Sequence, residues 1–392
     1  MLHGTRTAEH PTARNGDRRG DRIERFVMPS PASPPMDDLA PPEAALRRAL
    51  LVVPERDGPD HGGDAVVLRK VVAALQARFA CDIFTVRGER RALVKAVSML
   101  RHQVPSEWAG YQGVEAREAF AARLSATAYD HVFILYEALF HLAADAPPGG
   151  PPVTLYAHNV PSQFAVEDGP LDTFLRTLAQ RAERRTFTTP GARLVLISQA
   201  DRAAAMRTGL AGADVAVAPP GAPPSIPLSE DAAFKPECVI TGSYAWWRKR
   251  RDLKRFADFV GVRTVHGFDP GVKSVMPSSV LHAGMQEFDW AGAVRLGIVT
   301  DRFGGGFKLK TLEYVARNCA IFSSAPIMAE FAAFPHAARF VFDNRDPSQL
   351  GAVLHELAAR DPAILRAEFT AFKDACCAHY AWETCLAPLV DV

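Results

Sequence analysis

This sequence predicts an α/β fold with two doubly wound, Rossmann-like domains facing across a cleft. Three observations carry the expectation. Short apolar runs alternate with helix-spaced segments, which is the signature of parallel strands covered on both faces. The alternation is interrupted by one long proline-rich stretch, "GAPPSIPLSEDAAFKPE". With 392 residues, 48% of them hydrophobic, the chain has material for two cores of ordinary size.

The elements follow in order. Residues 1–46 include "TARNGDRRGDRIER" and "PSPASPPMDDLAPPE", charged or proline-rich without apolar periodicity, and are expected to be a disordered N-terminal extension. The first domain spans 47–225. Leu50 to Val53 is a buried strand, and "DGPDHGGD" is a loop. "AVVLRKVVAALQARF" has helical spacing, with Val66, Val67, Val71 and Leu75 on one side. "CDIFTV" is a second strand and "ERRALVKAVSML" a basic amphipathic helix. "HVFILYE" and "VTLYAHN" are strands, "LDTFLRTLAQRAERRTF" is a helix, and "RLVLIS" and "DVAVAPP" close the half. The second domain spans 226–375, with strands at "CVITG", "VRTVHGF", "SSVLHAG", "RLGIV", "CAIFSSA" and "ARFVFD". Residues 376–392 form a C-terminal helix, a candidate to pack back on the first domain.

Composition removes several function classes. The net charge is +1, so nothing in the overall charge favours nucleic acid or a membrane surface as a partner. Six cysteines lack zinc-like spacing, which points to reduced thiols in a cytoplasmic protein. No apolar run reaches the ~20 residues that span a bilayer.

The chemistry concentrates in "DRFGGGFKLKTLEYVARNCAIF", residues 301–322. Gly304, Gly305 and Gly306 follow a strand and precede a helix. Glycine lets backbone N–H groups approach a ligand, and the first helical turn carries unpaired N–H groups and a partial positive charge. Lys308 and Lys310 add full charges, and Glu313 lies one turn beyond Lys310. Such a set suits a nucleotide, with donors for phosphate oxygens and a carboxylate for ribose hydroxyls. It is neither a Walker loop nor a dinucleotide fingerprint. From the motif alone, a flexible turn followed by a surface Lys–Glu pair reads the same. "CVITGSYAWWRKRRDL" adds Gly242 and Ser243 after a strand, then Arg248 and Lys249 near a helix start, a candidate diphosphate clamp. Gly62 and Gly63 follow the first strand of the other half. His158 stands just past a strand end, where open sheets carry their sites.

Together these segments resemble the GT-B glycosyltransferases, close to glycosyltransferase family 4. The donor-site signature is matched at Gly306, Lys310, Glu313 and Ala316. The Gly62-Gly63 loop, "HNV" from 158, "LISQAD" from 196, "VAPPGAP" from 217 and "ITGSYAWWRKR" from 240 follow in the family's order, over about residues 48–390. The resemblance implies a GT-B fold that moves a sugar from a UDP- or GDP-linked donor, usually with retention, a donor phosphate oxygen taking the acceptor's proton. Glu313 would bind ribose; Lys310 with Arg248 or Lys249 the diphosphate; His158 would line the sugar pocket. Gly62, Gly63, Gly242, Ser243, Gly304, Gly305, Gly306, Phe307 and Lys308 complete the nucleotide-sugar site. The family's first glutamate is replaced by Gly305, which removes one contact to sugar hydroxyls. "HNVPS" has proline where a glutamate is common, and Val299-Thr300 stand where proline is frequent.

No Asp-x-Asp metal motif is present, so no metal and no resident cofactor are expected, and the leaving diphosphate falls to lysine, arginine and helix N-termini. The acceptor is a glycan, a lipid-linked sugar or a small molecule. Arg87, Arg90, Arg91, Lys95 and Arg101 could touch anionic headgroups at the inner face of a membrane, or form a solvated helix face. Two other readings stay open: a catalytically silent GT-B-like partner, and a nucleotide-sugar 2-epimerase, which calls for more cleft carboxylates than the motifs supply.

Overall fold

The computed structural model describes residues 46–55, 63–164, 170–209, 215–244, 247–260, 264–276, 280–281, 288–301 and 306–392. Leu46–Val392 form one compact unit. The extension expected at 1–46 lies outside the described residues apart from Leu46.

The first half runs β1 (Arg48–Pro54), α1 (Gly63–Gln76), β2 (Ala80–Val86), α2 (Ala92–His102), α3 (Ser106–Ala109), α4 (Val114–Ala126), β3 (His131–Ile134), β4 (Val153–Ala157), α5 (Pro170–Phe187), β5 (Ala192–Leu196), α6 (Gln199–Arg207) and β6 (Val215–Val217). Its strands form a parallel sheet in the order β2-β1-β3-β4-β5-β6. The reason is legible in the side chains. Every residue of β3 and β4 is buried, so helices must cover both faces. On α1, Val67, Val71 and Leu75 are buried at helical spacing. Each such side chain contributes roughly 1.5–3 kcal/mol of burial.

The second half runs β7 (Ala233–Ile240), α7 (Trp247–Val260), β8 (Val265–Gly267), α8 (Pro270–Val275), β9 (Val280–Leu281), β10 (Ala293–Ile298), α9 (Leu309–Ala316), β11 (Cys319–Ser323), α10 (Ala325–Phe331), β12 (Val341–Asp343), α11 (Leu350–Ala358), α12 (Pro362–His379) and α13 (Trp382–Val390). The sheet order is β12-β11-β10-β7-β8-β9, again with parallel pairs. In both sheets the order reverses beside the first strand, between β1 and β3 and between β7 and β10. Loops leaving the carboxyl ends there open the crevice in which such sheets bind ligands.

The chain passes between the halves twice. The connector after β6 is one crossing. The other lies between α12 and α13: Cys376, Tyr380 and Cys385 sit in the core of the second half, whereas Leu386, Leu389 and Val390 pack with β1 and α1 residues of the first. The two crossings touch. Ala222 N donates to Tyr380 O at 2.6 Å, and a Cβ on Gly221 would come within 2.4 Å of the Trp382 ring.

Candidate functional site

The second half supplies a cation cluster. β10 is buried along its whole length and delivers Thr300 and Asp301, both buried, at the carboxyl edge of the sheet. Asp301 Oδ2 lies 3.1 Å from Lys310 Nζ. Lys310 comes from the first turn of α9, whose Leu312, Val315 and Ala316 are buried and so aim the opposite side at the crevice. Its Nζ also sits 5.7 Å from the centre of the Tyr244 ring, and its Cδ would be 3.9 Å from a Cβ on Gly242. Gly242 has φ +92°, so the turn after β7 keeps close to Lys310 in a conformation few other residues accept.

Lys308 and Lys249 join the same cluster. Burial draws Lys308 down to about 8, with Lys310 and Lys249 adding to the effect and Asp301 opposing it. Burial likewise lowers Lys249, partly offset by Asp301. For Asp301 burial alone would favour the neutral acid, but Lys310, Lys308 and Lys249 outweigh it and hold the carboxyl below its usual range. Three ammonium groups thus act on one buried carboxylate, with Asp201 as a further acidic neighbour of Lys308 and with Asp64 and Asp269 near Lys249. An arrangement of this kind holds a phosphate-rich anion and stabilises charge as it builds on a leaving group.

Glu313 lies nearby on α9. Its carboxylate is 3.3 Å from Arg317 and accepts from Thr241 Oγ1 at 3.4 Å. Burial raises its pKa, and Arg317 opposes that rise. The expected Lys310–Glu313 face is therefore divided: Lys310 turns to Asp301, Glu313 to Arg317. Tyr314 locks the surrounding turns, accepting from Thr241 N at 2.9 Å and donating to Ile298 O at 3.0 Å.

The first half closes the site from the other side. Gly306 has φ +68°, and a Cβ there would lie 2.5 Å from Asn159 Oδ1 and 2.9 Å from His158 O. Gly306 N donates to Asp201 Oδ1 at 3.1 Å. Ser198 caps α6: its Oγ accepts from Asp201 N and donates to Asp201 Oδ2, which orients the carboxylate with Oδ1 towards the opposite half. Glu330 of α10 reciprocates, accepting from Ala200 N at 3.2 Å on the first turn of α6. Beneath the turn after β4, Glu137 is buried and accepts from His158 N at 3.0 Å and Asn159 Nδ2 at 3.3 Å. Burial pushes its carboxyl up to about 8 against those two donors.

The sequence-predicted residues are brought together only in part. Lys249, Lys308, Lys310 and Gly242 meet at one place, with Glu313 one turn away. Gly306 and His158 meet through backbone; His158 is buried, its ring edge-on to Tyr156 and Tyr136. The Phe307 ring is occupied in packing, 5.4 Å from Tyr380 and against both cores, and its carbonyl accepts from Leu309 N at 3.0 Å. Gly63 starts α1, where its Cβ would be 3.8 Å from Leu309 across the crevice, and Ser243 is exposed after β7. Gly62, Gly304 and Gly305 lie outside the described residues, as does the side chain of Arg248. Asp301, Glu137 and Asp201 were missed as site residues. An aspartate directly after an apolar strand and before a glycine run was the available signal for the first.

No family model matches this chain, and no curated protein matches it in sequence. Among solved structures it is similar to a sucrose-phosphate synthase from Thermosynechococcus elongatus, at 14% identity and a TM-score of 0.63 over 88% of this chain and 98% of that one. It is also similar to an α,α-trehalose-phosphate synthase (UDP-forming) from Burkholderia vietnamiensis, at 13% identity and a TM-score of 0.58 over 89% and 100%. A lipopolysaccharide outer core galactosyltransferase gives 13% identity and a TM-score of 0.53 over 88% and 100%. The likeness is one of fold: two open parallel sheets with alternating helices, the GT-B architecture.

Proposed function

We propose that this chain is a glycosyltransferase of the family 4 type that moves a sugar from a UDP- or GDP-linked donor, with retention and without a metal ion. The observation that carries the reading is the convergence of Lys249, Lys308 and Lys310 at the carboxyl ends of β7 and β10, opposite the turn after β4. The diphosphate lies among the three lysines and the first turn of α9. Glu313 takes ribose hydroxyls, and the His158 turn bounds the sugar. As the glycosidic bond breaks, negative charge builds on the β-phosphate, where the lysines receive it; a phosphate oxygen takes the acceptor's proton. Removing one such cation costs roughly 3 kcal/mol of barrier.

The acceptor approaches from the first half. On α2, Leu93, Val97 and Leu100 are 78%, 57% and 63% exposed at one-turn spacing, beside Arg90, Arg91, Lys95 and Arg101. That composition supports a peripheral contact with an anionic membrane face and a lipid-linked acceptor, in the cytoplasm.

Calorimetry with a panel of UDP- and GDP-sugars, followed by product analysis, tests the reading. Expected are retention of one donor and transfer of its sugar. Tight binding without turnover would make the chain a silent partner, and an epimerised donor would make it an epimerase. Glu313→Ala should weaken nucleotide binding with the fold intact; unchanged affinity rejects the ribose contact.

A further inference from the structure

Asp301 has more to do than neutralise lysines. Its side chain is 2% exposed, and Oδ2 is engaged by Lys310. Oδ1 is buried and has no hydrogen-bond partner among the described residues. A buried carboxylate oxygen left without a partner is costly, and a group that completes it on binding recovers that cost. Electrostatics decides what that group is. A phosphate oxygen would be repelled by the carboxylate itself. A metal cation would face three ammonium groups, and among the described residues no three His, Cys, Asp or Glu gather as its ligands. What fits is a neutral donor, an O–H, carried on a molecule whose anionic part the lysines hold. In a nucleotide-diphosphate sugar two such neighbours flank the diphosphate, the ribose and the sugar; with Glu313 assigned to the ribose, the sugar is the one left for Asp301.

Building on the proposed donor site, we infer that Asp301 Oδ1 accepts a hydrogen bond from a hydroxyl of the donor sugar and is the residue that reads the sugar's configuration at that carbon.

The sign of a substitution separates this role from a bland one. Asp301→Asn keeps the shape and removes a negative charge beside three lysines. A bare nucleotide diphosphate should therefore bind at least as tightly as before. The nucleotide-sugar should lose affinity relative to it, on the order of 10- to 100-fold, because a charged acceptor for its hydroxyl has gone. Calorimetry on wild type and variant would use UDP, GDP, UDP-glucose, GDP-mannose and the singly deoxygenated hexose conjugates. One deoxy position should reproduce the loss in wild type and cost nothing further in the variant. If Asn does not fold, Asp301→Ser takes its place in the same cycle. Equal changes for diphosphate and sugar conjugate, or additive losses at every deoxy position, overturn the assignment. Failure of wild type to bind UDP or GDP at all would instead reject the donor-site reading on which it rests.

Discussion

Gly306→Ala tests whether the two halves meet through one backbone position. At φ +68° an alanine pays about 1–2 kcal/mol for the left-handed conformation. Its Cβ would stand 2.5 Å from Asn159 Oδ1 and 2.9 Å from His158 O, where ordinary contact begins at 3.4 Å. If the loop stays, overpacking adds about 1–3 kcal/mol. If it retreats by roughly 1 Å, the bond from Gly306 N to the Asp201 carboxylate is lost instead, a similar sum for a charged acceptor. Either route gives a deficit of about 2–5 kcal/mol. Urea unfolding should show a lower midpoint at unchanged slope. Calorimetry with UDP and GDP should show weaker binding, because the N–H groups leading into α9 move with the loop. A variant that unfolds and binds as wild type does would refute the close approach.

Three other outcomes are expected. Lys310→Ala should lower turnover about 100- to 1,000-fold; a wild-type rate would remove Lys310 from the leaving-group site. Lys308, drawn down to about 8 by burial, should gain a proton when a diphosphate binds beside it. Calorimetry at pH 8 in buffers of different ionisation enthalpy should therefore show proton uptake that Lys308→Met abolishes, and binding without uptake would contradict the assignment. Glu137 has its folded-state pKa raised to about 8 from 4.5. Its protonated form is the one burial favours, so its contribution is fully present below pH 4.5 and is lost as pH rises through about 8. The unfolding free energy of wild type minus that of Glu137→Gln should fall across that window, and a pH-independent difference would show that the carboxyl does not titrate there.

Much of the architecture was legible because buried parallel strands are near-continuous apolar runs. Leu50–Val53, "RLGIV" and "CAIFSSA" fall on β1, β10 and β11 within two residues. β7 was read too short, starting at Cys238, because Pro236 argues against a strand interior. The structure starts it at Ala233 and places the proline where the β7–β10 register shifts. There Arg295 reaches Glu237 at 2.7 Å, a pair that joins β10 to β7 and has no local sequence signature. α4 escaped notice because only Phe120 of its residues is buried, so its apolar stripe is faint. α2 begins at Ala92 rather than Glu89, since Glu89 folds back to accept from Arg90 N and Arg91 N at 2.8 Å each. At the site, lysines near glycines were visible in the chain. Their shared counter-ion Asp301 was not, because its role depends on how far α7, α9 and β10 converge in space.

The paired crossings at Gly221–Ala222 and Tyr380–Trp382 constrain how the halves can move. A lone tether would let one half swivel freely on the other. Two tethers joined side by side, with a glycine backed against an indole, leave one axis of rotation passing through the join. Any opening of the crevice would then have to turn about that join, which ties the lysine-bearing edge to one seat on the opposing turn.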